Sequence, residues 1–202
     1  MQARARQTRD RLLKSALREF SAKGYHGAKV DSIAARAKAN KQRIYAYFGN
    51  KEKLFASVLR HSFSEIIAEE KHLAELGEQD IPHLAEIILR HYMVFHRKHP
   101  HFWRLLAWEN LEGGSHTAVL RGLKDESFEH LRSLYMQGQE QGDFKKDVSF
   151  ESFIFVLTSV CFFYFANQRT MSKTLDLDLS DEAVQERIIS EALALLSTTA
   201  KG

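Results

Sequence analysis

Lys41, Gln42 and Arg43 stand side by side as three long hydrogen-bond donors, with no apolar residue until Ile44. Asn40 precedes them and makes a good helix N-cap, because its side-chain oxygen can accept a free amide of the next turn. The sequence therefore predicts a helix that starts near Lys41. Such an end suits DNA. Gln can pair with adenine, and Arg or Lys with guanine. The free amides and partial positive charge of the N-terminus favour phosphate. Tyr45 and Tyr47 follow one turn on, where a phenol can reach a phosphate oxygen. Asn50 reads as the cap of the next helix, with Lys51 its first residue and a further phosphate donor.

Positioning those donors takes a small helical frame. Val30, Ile33, Ala34 and Ala37 repeat at helical spacing, as do Ile44, Tyr47 and Phe48. Only a few residues around Ala39 and Asn40 are left for the turn. A helix-turn-helix of this kind lays its second helix in the DNA major groove. The same pattern also fits a small buried corner with a solvated basic face. Upstream, Leu12, Leu13, Ala16, Leu17 and Phe20 form the apolar stripe of a first helix over 8–23, and Gly24 ends it as a C′ residue. Residues 1–6 read as a basic, mobile arm.

Phe20, Gly24, Tyr25, Gly27, Val30, Ile33, Ala34, Ala37, Lys41, Ile44, Tyr45, Tyr47, Phe48, Lys51, Glu52 and Leu54 together resemble the DNA-binding domain of the tetracycline-repressor-type (TetR) regulators. The run from Ile44 to Leu54 is the most specific part. By motif the resemblance covers roughly the first quarter of the chain. Three positions depart from the family pattern. Ala28 stands where Thr commonly caps the second helix, so Lys29 or Asp31 would have to take that role. Lys38 stands where Gly is usual and must tolerate a left-handed or strained backbone. Ala46 stands where His is common. The DNA-contacting set is then Lys29, Asn40, Lys41, Gln42, Arg43, Tyr45, Tyr47 and Lys51. Lys41, Gln42 and Arg43 would read bases, and Lys29, Tyr45, Tyr47 and Lys51 would hold phosphates.

The net charge of +3 conceals an asymmetry. Residues 1–53 hold 14 Lys/Arg against 4 Asp/Glu, a net of +10, and the remainder holds 15 against 22, a net of −7. A basic head on an acidic body suits a DNA reader whose body should not stick to DNA. The 202 residues suffice for a sizeable core, and two prolines argue for helix. One cysteine, Cys161, excludes an internal disulfide and a thiolate metal cluster. The basic start has no apolar core segment, so no secretory signal and a cytoplasmic location are expected.

The body reads as further helices. One long helix from 52 to about 76 carries Leu54, Phe55, Val58, Leu59, Ser62, Ile66 and Ile67 inward, a rod of about 38 Å. A helix over about 82–98 follows, with Leu84, Ile87, Ile88, His91 and Phe95 on one face. The next runs from His101 to Glu112, and another from His116 to Gln141, with Leu120, Leu123, Leu131, Leu134 and Tyr135 inward. Residues 150–166 are apolar nearly all round. A membrane span wants about 20 apolar residues, and this stretch is shorter and contains Glu151. It is therefore expected to be buried on both sides. With a last helix over 181–196 it would pair with its copy in a four-helix dimer interface, through about 150–169 and 181–197.

His96, His99 and His101 straddle a helix end and Pro100, with no Cys or carboxylate at ligand spacing, so no metal is expected. No Gly-rich phosphate loop or nucleophile elbow is present, and neither enzyme activity nor a cofactor is expected. His91 and Glu109 fall on apolar stripes. They read either as groups hydrogen-bonded between helices or partly exposed, or as the polar anchors of a ligand pocket with Phe63, Phe95, Trp103, Trp108 and Phe162.

The expectation is an all-α protein of about nine helices: a helix-turn-helix domain over 1–53, and a helical ligand-binding and dimerisation domain over 54–202. It would be a homodimeric regulator of a palindromic operator in double-stranded DNA, most simply a repressor released by a small-molecule effector. An activator, a partner-controlled regulator and a helical carrier with an incidental basic head are the other readings.

Overall fold

Gly, Asn and Pro punctuate the chain where the helices end. The computed structural model describes residues 2–120 and 125–196. The helices are α1 (Gln2–Gly27), α2 (Val30–Arg36), α3 (Lys41–Phe48), α4 (Lys51–Glu69), α5 (Leu84–Lys98), α6 (Pro100–Leu111), α7 (Asp125–Gln141), α8 (Phe150–Ala166), α9 (Gln168–Thr174) and α10 (Glu182–Leu196). Short 3-10 turns lie at Glu70–Glu75, Glu78–His83 and Thr117–Leu120, and among the described residues there is no strand. By contacts the chain forms two compact units, one of residues 1–68 with 99–123 and one of 69–98 with 124–202.

In the first unit the expected stripe of α1 is the floor of the core. Leu12, Ala16 and Phe20 are fully buried with Ile33, Ile44, Leu54, Phe55, Val58 and Leu59, and Leu105 of α6 completes the cluster. The Phe20 ring meets Phe55 edge-on at 4.8 Å. Gly24 breaks α1 at φ 70°. Just beyond it, the Glu112 carboxylate accepts hydrogen bonds from the backbone amides of Tyr25 (2.9 Å) and His26 (3.3 Å). These amides lie past the break, and Glu112 satisfies them.

In the second unit α5 is the central strut, with α8 and α10 packed on it. Leu157, Cys161 and Tyr164 of α8 point inward, and burial pushes the Cys161 thiol up to about 12. Gly138 lets α7 approach its neighbours. A Cβ there would lie 2.5 Å from Cδ2 of Phe144 and 2.8 Å from Cγ2 of Ile81. Phe144 is backed by Tyr135 (4.8 Å) and Phe153 (5.4 Å), so its ring has little room. Gly138→Ala should therefore lower stability by about 1–3 kcal/mol in thermal unfolding, even though Ala favours a helix by about 1 kcal/mol.

Several sequence expectations change here. The N-terminal arm is helix from Gln2 onward. The long rod ends at Glu69, so α4 spans 19 residues, about 28 Å. The 3-10 turn that follows buries Glu70, whose Oε1 accepts from the Tyr92 hydroxyl at 2.7 Å. The stretch from His116 opens with a 3-10 turn and α7 begins at Asp125; Leu123 lies outside the described residues. On α5 the buried face carries Tyr92 and His96, while Ile87 and His91 are only half-buried. Neighbours on both sides of α5 widen its buried arc beyond the predicted stripe. The helix α9 escaped prediction because its polar sequence has no apolar stripe, and the described residues form ten α-helices rather than about nine. Among the described residues no single helix is long and apolar enough to cross a membrane.

Candidate nucleic-acid interface

The turn between α2 and α3 is set by two local devices. Lys38 takes φ 49°, the left-handed conformation, where the chain reverses. Asn40 is extended, and its Oδ1 accepts from the Gln42 amide at 2.8 Å. Ile44 and Phe48 anchor α3 in the core, which leaves Lys41, Gln42 and Arg43 exposed. A short helix pinned from behind, with three donors in its first turn, is the arrangement that direct base readout requires.

Each candidate has a defined local setting. Lys41 Nζ lies 3.0 Å from Asp31 Oδ1, and the hydrogen bond and charge of Asp31 raise its pKa. Both groups are exposed, so the pair is weak and exchangeable. Tyr45 is 45% exposed, whereas the half-buried Tyr47 ring rests on Phe48 at 6.4 Å. Lys51 is held more firmly. Its Nζ sits 4.8 Å from the Tyr25 ring centroid and 3.4 Å from the His26 carbonyl, and burial lowers its pKa. Asn50 caps α4 by accepting from the Lys53 amide at 2.7 Å. Lys29 is exposed and extended at the start of α2. Neither Lys29 nor Asp31 caps that helix: Lys29 makes no side-chain cap bond, and Asp31 is taken up by Lys41.

Beneath α2 sits a buried carboxylate. Glu19 accepts from Lys23 Nζ (2.8 Å) and the Lys29 amide (3.5 Å), and Arg36 lies 3.5 Å away. Burial alone would raise its pKa, but these donors and charges outweigh it and the net shift is downward. A carboxyl whose native pKa is depressed stabilises the fold fully above its ordinary value of 4.5, and that contribution is lost as the pH falls through the lowered native value. Glu19→Gln should cost about 1–2 kcal/mol at neutral pH. Its acid unfolding limb should be flatter than the parent's in denaturant titrations across that window.

Sequence reasoning missed a basic pocket in the same unit. It is an open cleft of about 400 Å³ lined by Arg11, Lys14, Ser15, Arg18, Arg36 and Lys38, with Ala37. The signal was present: positions 11, 14 and 18 fall on one face of a helix.

The residues proposed for an effector are divided between the units. In the first, Phe63 packs on Phe102 at 5.2 Å and Trp108 lies against Gly24. Glu109 is buried; it accepts from the His116 amide at 2.6 Å and pairs with the His116 Nδ1 at 3.1 Å. The Trp103 indole N–H is buried with no partner among the described residues, and Arg104 covers its ring. In the second unit, Phe95 is core and Phe162 lies 6.5 Å from the His96 ring. His91 faces His72 at 4.8 Å and lines a groove of about 580 Å³ with Ile87, Arg90, Val94 and Lys98. Among the described residues no group of three or more His, Cys, Asp or Glu could hold a metal ion.

Comparison with known proteins agrees with this geometry. Residues 12–58 match the model for bacterial regulatory proteins of the tetR family. Residues 82–195 match the tetracyclin repressor-like C-terminal domain. The HTH-type transcriptional repressor NicS of Pseudomonas putida is 38% identical over 184 residues, covering 88% of this chain and 85% of its own. The HTH-type transcriptional repressor SCO4008 of Streptomyces coelicolor is 33% identical over 153 residues, with 76% of each chain covered. Among solved structures, SCO4942 of Streptomyces coelicolor shares the fold at a TM-score of 0.70 and 24% identity, over 96% of this chain and 99% of that one. HlyIIR, a hemolysin II transcriptional regulator, does so at 0.64 and 23%, over 96% and 99%. The chain belongs to the TetR family: it is a helix-turn-helix, DNA-binding transcriptional regulator and not an enzyme.

Proposed function

We propose that the protein is a homodimeric repressor in the bacterial cytoplasm, which occupies a palindromic operator and leaves it when a small molecule binds. The capped, core-pinned α3 with Gln42 and Arg43 exposed carries this reading. In this proposal residues 1–53 read DNA and 54–202 dimerise and sense. Two relatives named as repressors support the mode of action. For the effector, the groove at His91 and the unpartnered Trp103 N–H are the supporting features. A ligand changes operator affinity only to the extent that it prefers one dimer state.

Apolar side chains left in water support the dimer. Phe155 and Phe163 of α8 are 71% and 53% exposed, and Leu195 of α10 is 88% exposed. Exposed apolar groups concentrated on two helices mark an association surface. Phe163→Glu should give a folded monomer by light scattering, with unchanged helical circular dichroism and no stable operator complex.

The deciding experiment is selection of genomic duplexes with the purified protein at moderate salt. A recurrent inverted repeat is the expected outcome, with affinity falling steeply as salt rises. A folded dimer that enriches no duplex would sink the proposal and favour a carrier.

A further inference from the structure

The structure points to a second anion site, distinct from the base-reading end of α3. We propose that the pocket of Arg11, Lys14, Ser15, Arg18, Arg36 and Lys38 binds a phosphate group. Three observations carry this. First, five of these six lining residues are cationic and none is a carboxylate. Arg36 is balanced by Glu19, but among the described residues no ion pair engages Arg11, Lys14, Arg18 or Lys38. Second, the pocket has the volume for a phosphate, about 400 Å³, and the mostly buried Ser15 at its wall. Third, Lys38 is in the left-handed region at φ 49°. Glycine would occupy that position without strain. A lysine kept in a strained conformation, with its charge lining the pocket, points to a use for the charge.

The site shares a turn with the recognition helix. Lys38 is two residues from the Asn40 cap, and its Cα lies at most about 11 Å from that of Lys41. The phosphate could belong to the DNA backbone flanking the bases read by α3, or to a free phosphorylated small molecule. The first source rests on the DNA-reading assignment above, and the second does not.

Two titrations of the full-length protein separate these sources. One uses duplexes from the genomic selection, trimmed to the repeat or extended by a turn of flanking sequence on each side. The other uses inorganic pyrophosphate, followed by calorimetry. The variants are Lys38→Gly and Lys14→Ala, with Arg43→Ala as the base-reading control. If flanking DNA is the source, each of the two pocket variants binds the extended duplex about fivefold more weakly, with a salt slope smaller by about one, and ranks sequences as the parent does. Lys38→Gly gives the sharper reading, since removal of strain should hold or raise the melting midpoint while binding falls. If a free phosphate is the source, pyrophosphate binds the parent, the pocket variants lose that binding, and flank length has no effect. Folded variants that match the parent in both titrations overturn the proposal. Should no duplex be enriched at all, the pyrophosphate titration alone decides: binding lost in the variants supports the site, and no binding overturns it.

Discussion

Arg43→Ala should abolish most of the protein's sequence discrimination while leaving it folded. Arg43 is exposed in the first turn of α3, and among the described residues its side chain makes no ion pair. A bidentate Arg–guanine contact is worth about 1–3 kcal/mol against the wrong base. In the proposed dimer two copies act on one operator, so the preference for operator over scrambled duplex should drop by about 2–6 kcal/mol. Residual binding should keep most of its salt dependence, because the other cations still neutralise phosphates. Anisotropy titrations on both duplexes at two salt concentrations make the measurement. An equal loss on both would mean that Arg43 touches phosphate only. The melting curve should not move, since α3 is anchored by Ile44 and Phe48 and capped by Asn40, none of which depends on position 43.

Gly24→Val should be the most damaging single change in the first unit, by about 3 kcal/mol or more. Two costs combine. At φ 70° a β-branched residue is strained by about 1–2 kcal/mol. Its Cβ would also fall 2.5 Å from Glu112 Oε1 and 2.8 Å from the Trp108 ring, and overpacking of this kind costs about 1–3 kcal/mol. Glu112 cannot retreat without leaving the Tyr25 and His26 amides that it satisfies. Denaturant unfolding should show a lowered midpoint, and weakened DNA binding should follow because Tyr25 also supports Lys51. A midpoint within error of the parent would show that the α1 break can reshape around a side chain.

Gly24 also illustrates how much was legible. As a C′ glycine it was readable from local chemistry, because only glycine takes the left-handed region without cost. Trp108 and Glu112 above it were not, for they arrive from more than 80 residues away. Asn40 and Asn50 were readable as caps from their own side-chain chemistry, whereas the left-handed Lys38 was expected only from the family resemblance, which has Gly there. His91 and Glu109 were flagged as polar groups on apolar stripes, and their outcomes differ. Glu109 is buried against His116, seven residues on, whereas His91 is half-exposed beside His72.

The sequence by itself determined most of the helices, the turn that presents Lys41, Gln42 and Arg43, and the charge contrast between head and body. These follow from interactions within a few residues: periodic apolar faces, caps and backbone preference. Only the tertiary structure decided that α4 stops at Glu69, where Glu70 turns in to meet the Tyr92 hydroxyl. It alone placed Lys51 over Tyr25, gathered Arg36 and Lys38 against the basic face of α1, and assigned the effector candidates to two separate units. Each of these is a meeting of side chains distant in sequence. Their proximity depends on how whole helices pack, and helical periodicity fixes which face is apolar without naming the neighbour that covers it.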